Sequence, residues 1–547
     1  MVSDSAPTPS AAGAGRPWIA LAALIALGLA ARLAFIWSGI SDRGVLADDA
    51  FYYFTIARNV VTGLGSTFDG LAPTNGYHPL YLVTLLPVFL IGEKLRLGAW
   101  IPVHLALSLC AAFEALAATL IFSAVRRLFT TRAALTAAAL WLLCPLPMFL
   151  GLRGLETSLS TCVLAGWLAL AAPALARGRL ERARAIALGA LLGLLGLARA
   201  DLGPLAGLLA VVFFAPWRSR AAGEWRRATG LLGLMAVVAM AVASPWLLWN
   251  QHAFGSPWPV SGLVKLGNAK IFGHLPTATR LTPGTIAKSL LAPLWVPLGW
   301  MLGEEFTPLR VTRPVVAGVL LALVLAAIGA MQVLRRTPGA GRARFLGGLL
   351  ALVAAHALAY AFVLRHYMTW YAQVPALAAC LVGGVAAERL APRGRVALAL
   401  LAAVLFFAAG ARFVAHFGRH PGGLEAPIHT LFARIEAKAP RARVVGVYNA
   451  GALGYFAPRR DGWHLVNLDG VVNNAIYLAG RQHRVYDYIT TTCDVLLLSP
   501  GGLEPRGGMT PAQFAELTRR YPRWPDAEQV PGVGPEICGP RLPAFSP

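Results

Sequence analysis

Long apolar runs alternate with short arginine-bearing breaks along most of this chain, and a run of about 20 apolar residues is the length that crosses a bilayer as a helix. Such windows fall at about 18–40, 99–125, 133–150, 157–176, 184–198, 202–216, 228–249, 311–334, 345–364, 368–388 and 395–414. Two further stretches depart from the pattern. Pro79–Gly92 is about 14 residues long and holds Pro87, and Ile286–Leu302 holds Pro293 and Pro297. Stretches that short or that interrupted read as interfacial or re-entrant rather than spanning. The pattern therefore predicts a polytopic α-helical membrane protein of about eleven transmembrane helices.

The breaks set an orientation. Arg126/Arg127/Arg132, Arg177/Arg179/Arg182/Arg184, Arg218/Arg220/Arg226/Arg227, Arg335/Arg336/Arg342/Arg344 and Arg389/Arg393/Arg395 all fall on one side of the eleven-span plan. Cytoplasmic loops carry such an excess, so the N-terminus is expected inside and the C-terminus outside. The plan divides the chain into a disordered cytoplasmic segment 1–16, a membrane domain 17–414 and an extracytoplasmic tail 415–547. Within the membrane domain, outer loops are expected at 41–98 and 250–310. The tail carries Val444–Tyr448, His464–Leu468 and Val495–Leu498 as strand-like runs between turns and helix-length segments. It is long enough for an α/β domain of its own.

The first outer loop is patterned in detail. From Asp49 to Thr62, Tyr53, Ile56, Ala57, Val60 and Val61 recur at helical spacing, with Thr55, Arg58, Asn59 and Thr62 opposite. That predicts an amphipathic helix at the membrane surface, stopped by Gly63 and Gly65. Turns follow at Phe68-Asp69-Gly70 and Pro73-Thr74-Asn75-Gly76, and His78-Pro79 opens the next apolar segment.

Composition agrees with a membrane protein: of 547 residues 57% are apolar and 13% charged, with a mean hydropathy of +0.61. The net charge of +23 does not point to nucleic acid, because its arginines lie in short clusters between apolar spans. Only 5 of the 48 basic residues are lysines, so arginine abundance nominates no phosphate site. With Ala and Gly frequent, the bias fits a GC-rich genome, and a bacterial cytoplasmic membrane is the expected location. Cys110, Cys144, Cys162 and Cys380 lie in apolar segments. Cys493 and Cys538 are the two cysteines of the tail and would share an oxidising compartment there.

Charge near a membrane is costly and marks function by default. Asp48-Asp49 follow the first span almost at once, opening the run Ala50-Phe51-Tyr52-Tyr53-Phe54-Thr55-Ile56-Ala57-Arg58-Asn59. Glu156 lies in a second outer turn beside Arg153, and Arg199 and Asp201 share a third. Arg365-His366-Tyr367 is a basic cluster abutting the ninth window, with Lys265 and Lys270 in the second large loop.

The acid pair after span one, the long patterned loop and the run Pro73-Thr74-Asn75-Gly76-Tyr77-His78-Pro79 resemble the GT-C superfamily of membrane glycosyltransferases. Relatives there include protein O-mannosyltransferases, lipid A aminoarabinose transferases and mycobacterial arabinofuranosyltransferases. The resemblance covers residues 18 to 250 well and the later spans more loosely. It implies transfer of a sugar from a polyprenyl-phosphate donor to a hydroxyl of an extracytoplasmic acceptor in the cell envelope, at the bilayer and without nucleic acid. On that reading Asp48 is the general base and Asp49 orients it or binds acceptor. Arg365, His366, His78, Arg58, Lys265 and Lys270 are candidates for donor phosphate or substrate. No resident cofactor is implied with certainty. A divalent cation, magnesium or manganese, is a candidate, held by Asp48, Asp49 and Glu156. Alternatives are a multi-span transporter or flippase of lipid-linked sugars, for which Glu114 inside the second window would serve a proton path, and a non-catalytic scaffold on the same core. The sugar, the acceptor, the stereochemical course and the oligomeric state are not encoded in any motif here.

Overall fold

The computed structural model describes residues 16–39, 45–217, 219, 221–267, 290, 339–364, 367–388, 424–458, 462–498, 509–522 and 536–538. The windows expected at 311–334 and 395–414, all of Ile286–Leu302 except Leu290, and the candidates Lys270, Arg365 and His366 lie outside the described residues.

Every other expected window is helical. In chain order the helices are α1 (Arg16–Trp37), α2 (Asp48–Val61), α3 (Pro79–Lys94), α4 (Trp100–Leu128), α5 (Thr131–Leu143), α6 (Pro145–Leu152), α7 (Thr157–Arg177), α8 (Arg182–Ala198), α9 (Leu202–Phe214), α10 (Ala222–Phe254) and α11 (Val260–Lys265). Next come α12 (Ala340–Leu358), continued as a π-helical turn to Leu364, and α13 (Gln373–Ala387), entered through the 3₁₀ turn Thr369–Ala372. Six of the described helices are long and apolar enough to cross a membrane, or seven if α5 and α6 are one bent span. The bend of 51° falls at Pro145, the first residue of α6, where proline cannot supply the N–H that would continue α5. Helices α8 and α9, expected as spans, have 17 and 13 residues, and α3 has 16 residues with Pro87 inside it. The protein is a multi-pass membrane protein.

Helix packing in this core uses small residues. Gly189 and Gly193, one turn apart on α8, face the backbone of α10 so closely that a Cβ on either would come within 2.6 Å of a carbonyl oxygen, of Met235 or Ala239. Spaced small residues let helix backbones approach in this way.

The tail is an α/β unit. After α14 (Glu425–Lys438) come β1 (Val444–Val447), α15 (Gly451–Phe456), β2 (His464–Asn467), α16 (Asn474–Arg481), α17 (Val485–Thr492), β3 (Val495–Leu498), α18 (Pro511–Arg520) and β4 (Glu536–Cys538). The sheet order is β2-β1-β3-β4, with β1 parallel to both neighbours and β4 antiparallel to β3. β1 and β2 are buried along most of their length, as strands covered on both faces are. Cys493 is buried with its Sγ close to Gly446, and Cys538 is in register with Leu496.

One element differs from its sequence pattern. Helix α2 forms where expected, but it does not lie on a surface: every residue from Ala50 to Asn59 is buried, the polar face included. The tail and the loop after α2 cover that face. Arg58 donates to the Tyr455 carbonyl at 2.8 Å and stacks on the Tyr455 ring, and Asn59 donates to the carbonyls of Thr67 and Phe68.

Candidate active site

The acid pair divides at the first turn of α2. Asp48 accepts hydrogen bonds from the backbone N–H groups of Gly451 (3.0 Å) and Ala452 (2.9 Å), one to each carboxylate oxygen. It therefore caps the start of α15 in the tail, where N–H groups have no partner within their own helix. Burial raises its carboxyl to about 6, although those two N–H donors pull the other way. Asp49 instead borders a cavity of about 530 Å³ and has no hydrogen-bond partner among the described residues. Burial raises its pKa too, opposed by Lys265, reinforced by Glu156 and opposed more weakly by Arg153.

The cavity is walled by residues from far-separated segments. α2 supplies Asp49, Tyr52 and Tyr53, and the following loop supplies Gly76, Tyr77 and His78. Glu156, Arg199 and Asp201 come from the ends of α7, α8 and α9, and α11 brings Lys265. Tyr360, Trp370 and Tyr371 close the far side, and the tail contributes Val471. Most of the lining is apolar, with the ionisable groups converging at one end, the usual form of a substrate cavity.

Arg199 organises that end. Its Nε donates to Asp201 Oδ1 at 2.9 Å, one terminal nitrogen to Glu156 Oε1 at 3.3 Å and the other to the Tyr360 hydroxyl at 3.1 Å, with the guanidinium over the Tyr371 ring. The Tyr53 hydroxyl donates to Glu156 Oε2 at 3.1 Å, and His78 Nε2 lies 3.8 Å from Glu156 Oε1. Burial lowers the His78 pKa. Glu156 thus pairs with Arg199 rather than with its neighbour Arg153. Lys265 differs from Arg199: it has no hydrogen bond or ion pair among the described residues. Burial alone would lower its pKa, but Tyr371, Asp49 and Glu156 raise it above the ordinary lysine value, so it is a cation.

Three expectations change. Asp48 faces the tail, held by Gly451 and Ala452, and does not line the cavity. Arg58 is occupied with Tyr455 on the opposite side of α2 and does not line the cavity. The three acids suggested for a cation do not converge, because Asp48 is engaged by Gly451 and Ala452 and Glu156 by Arg199 and Tyr53. Among the described residues no three His, Cys, Asp or Glu side chains form a metal-binding group.

Sequence reasoning passed over Tyr52 and Tyr53, although they stand three and four residues after Asp49, on its face of the helix. Tyr52 ties the site to the tail: its hydroxyl accepts from Ala450 N and Asn467 Nδ2 and donates to Asp469 Oδ2 at 3.3 Å. Burial raises Asp469 to about 7. No local signal marks Asp469, which sits in a turn that reads as one.

This architecture, a helical membrane core with an acid-bearing loop under a tail domain, is similar in fold to several solved structures. ArnT from Cupriavidus metallidurans bound to undecaprenyl phosphate superimposes with a TM-score of 0.57 at 16% identity, over 94% of this chain and 97% of that one. The oligosaccharyltransferase of Archaeoglobus fulgidus tethered to an acceptor peptide gives 0.56 at 13% identity, over 96% of this chain and 74% of that one. The same archaeal enzyme in complex with Zn and sulfate gives 0.51 at 15%, over 87% and 67%. No sequence family matches the chain, and no curated protein matches it in sequence.

Proposed function

We propose that the protein is a glycosyltransferase that moves a sugar from a polyprenyl-phosphate-linked donor to a hydroxyl of an extracytoplasmic acceptor, with Asp49 as general base. The observation that carries this reading is the presence, in one cavity, of a carboxylate and a cation, Asp49 and Lys265, that feel each other's charge and have no hydrogen bond to any of the described residues. The ArnT likeness supports the choice of donor, since that protein was solved with undecaprenyl phosphate.

The acceptor oxygen bonds to the anomeric carbon while the bond from that carbon to the phosphate oxygen breaks. The phosphate leaves with the electron pair, and the acceptor proton passes to Asp49. A carboxylate within hydrogen-bond reach typically contributes about 10²–10⁴-fold to such a step. Lys265 neutralises the departing phosphate through a charge-assisted contact. Arg199, already engaged by Asp201 and Glu156, holds the wall and leaves the mobile positive charge to Lys265. His78 and Tyr53, both on Glu156, orient the acceptor in this reading. Arg365, His366 and Lys270 remain candidates for the same phosphate on sequence grounds.

The test is discharge of radiolabelled polyprenyl-phosphate sugars by the purified protein with a crude envelope fraction as acceptor. Release of the lipid phosphate with at least one sugar, lost in Asp49→Asn, is the expected result. No discharge from any donor would overturn the reading.

A further inference from the structure

We infer that Asn75 is a positioning residue for Lys265, setting the cation in the cavity through the start of α11 and linking it to the seating of the tail. The inference rests on the proposed function only in giving Lys265 a phosphate to meet.

Asn75 is fully buried, and its amide joins four other groups. Its Nδ2 donates to Asn250 Oδ1 at 3.1 Å and, at 3.5 Å, to the Trp258 carbonyl. Its Oδ1 accepts from Val260 N at 3.0 Å and from Asn474 Nδ2 at 2.9 Å. Val260 N is a backbone donor and cannot accept, which fixes the orientation of the amide. Asn250, also fully buried, donates to the Pro257 carbonyl and so braces the turn from α10 into α11. Asn474 is the first residue of α16 in the tail and also accepts from the Thr74 hydroxyl.

Helix α11 has six residues, too few to be stable alone. Its first N–H, on Val260, has no partner within the helix and is satisfied by Asn75, and its last residue is Lys265. Lysine is a point charge on a flexible four-carbon stem with no fixed fork. Here no other side chain of the described residues holds it, so its root must be fixed if the charge is to be. The Asn75 amide does this, and through Asn474 it makes that root depend on the docked tail.

The test uses the full-length protein with a nitroxide attached at Lys265→Cys, compared with the same labelling of the parent to subtract the native cysteines. The ratio of mobile to immobilised nitroxide reads how firmly α11 is held. Adding Asn75→Ala should raise that ratio about fivefold or more, the change expected for losing one net hydrogen bond. Asn75→Asp keeps an acceptor for Val260 N but sets a carboxylate oxygen against Asn250 Oδ1 and the Trp258 carbonyl, so its ratio should fall between those of the Lys265→Cys and alanine proteins. Equal effects from the two variants, or none from either, would overturn the inference. If the alanine protein does not fold, Asn75→Ser, whose hydroxyl is too short to reach both Val260 and Asn474, takes its place under the same criterion. The spectrum needs no turnover, so it stands or falls separately from glycosyl transfer. With Lys265 intact, Asn75→Ala should raise donor KM more than it lowers kcat. In a Lys265→Ala background it should raise donor KM no further, because residues that act through one another are not additive.

Discussion

Asp48 and Asp49 are neighbours in the chain yet face different ways: Asp48 closes on the backbone of Gly451 and Ala452, while Asp49 opens onto the cavity with no hydrogen-bond partner among the described residues. Successive helical residues diverge by about 100°, so one acid pair at the start of α2 reaches both the tail and the substrate space. The two N–H groups of α15 give Asp48 a fixed place away from the cavity.

The first prediction separates the two acids. Asp49→Asn should lower turnover by about 10²–10⁴-fold, the usual loss for a general base, with the protein intact. Asp48→Ala should instead lower stability by about 0.5–2 kcal/mol, the range for losing a helix cap. It should also speed proteolysis between the membrane core and the tail. Activity assays on both variants, beside limited digestion, settle the assignment. Full activity in Asp49→Asn would return the base to Asp48.

A second prediction follows from the closeness of the same contact. A Cβ placed on Gly451 would overlap the Asp48 carbonyl and lie 2.9 Å from its side-chain Cγ. The obstacle is backbone, which cannot rotate away as a side-chain tip can. Gly451→Ala should therefore unseat α15 and reduce activity, although residue 451 does not border the cavity. Thermal unfolding and tail proteolysis read this out, and an alanine protein as stable and as active as the parent would show that the tail is not docked through this contact.

The membrane helices and the strands of the tail were legible because hydrophobic period is local. Val444–Tyr448, His464–Leu468 and Val495–Leu498 differ from the observed strands by a residue at most. β4 was not legible: its three residues lie in a Pro/Gly-rich segment and are a strand only by pairing with β3. The burial of α2 was hidden for a related reason. Its polar residues look solvent-facing until Tyr455, almost 400 places later, arrives to accept from Arg58. The candidate site was half legible. The acid pair, His78, Glu156 and Lys265 were chosen by charge and loop position, whereas the division of labour within the pair depends on a partner 403 residues away.

The third prediction concerns orientation. Leu64 and Leu478 are exposed, one on the loop after α2 and one on the tail. Arg132 and Arg179 are exposed at the arginine-bearing ends of helices, where positive charge is retained on the cytoplasmic side. Cysteine at 64 or 478 should react with an impermeant thiol reagent in intact cells. Cysteine at 132 or 179 should react only after permeabilisation. Labelling of 179 from outside would mean that an additional segment, such as α3, crosses the membrane.

The last prediction is a pH dependence whose sign is fixed by charge. Burial holds the Asp49 pKa above the ordinary carboxylate value, and a base acts only when ionised. kcat/KM should therefore rise with pH through an apparent pKa higher than that of an exposed aspartate, and this limb reports the free enzyme. Lys265 opposes the shift, because a nearby positive charge favours the carboxylate, so Lys265→Met should move the rising limb to higher pH. Glu156 reinforces it, because a like charge favours the protonated form, so Glu156→Gln should move the limb to lower pH. Loss of rate alone does not bear on the assignment; the position of the limb does. Limbs that stay put in both variants, or move in the opposite directions, would mean that the titrating base is not Asp49.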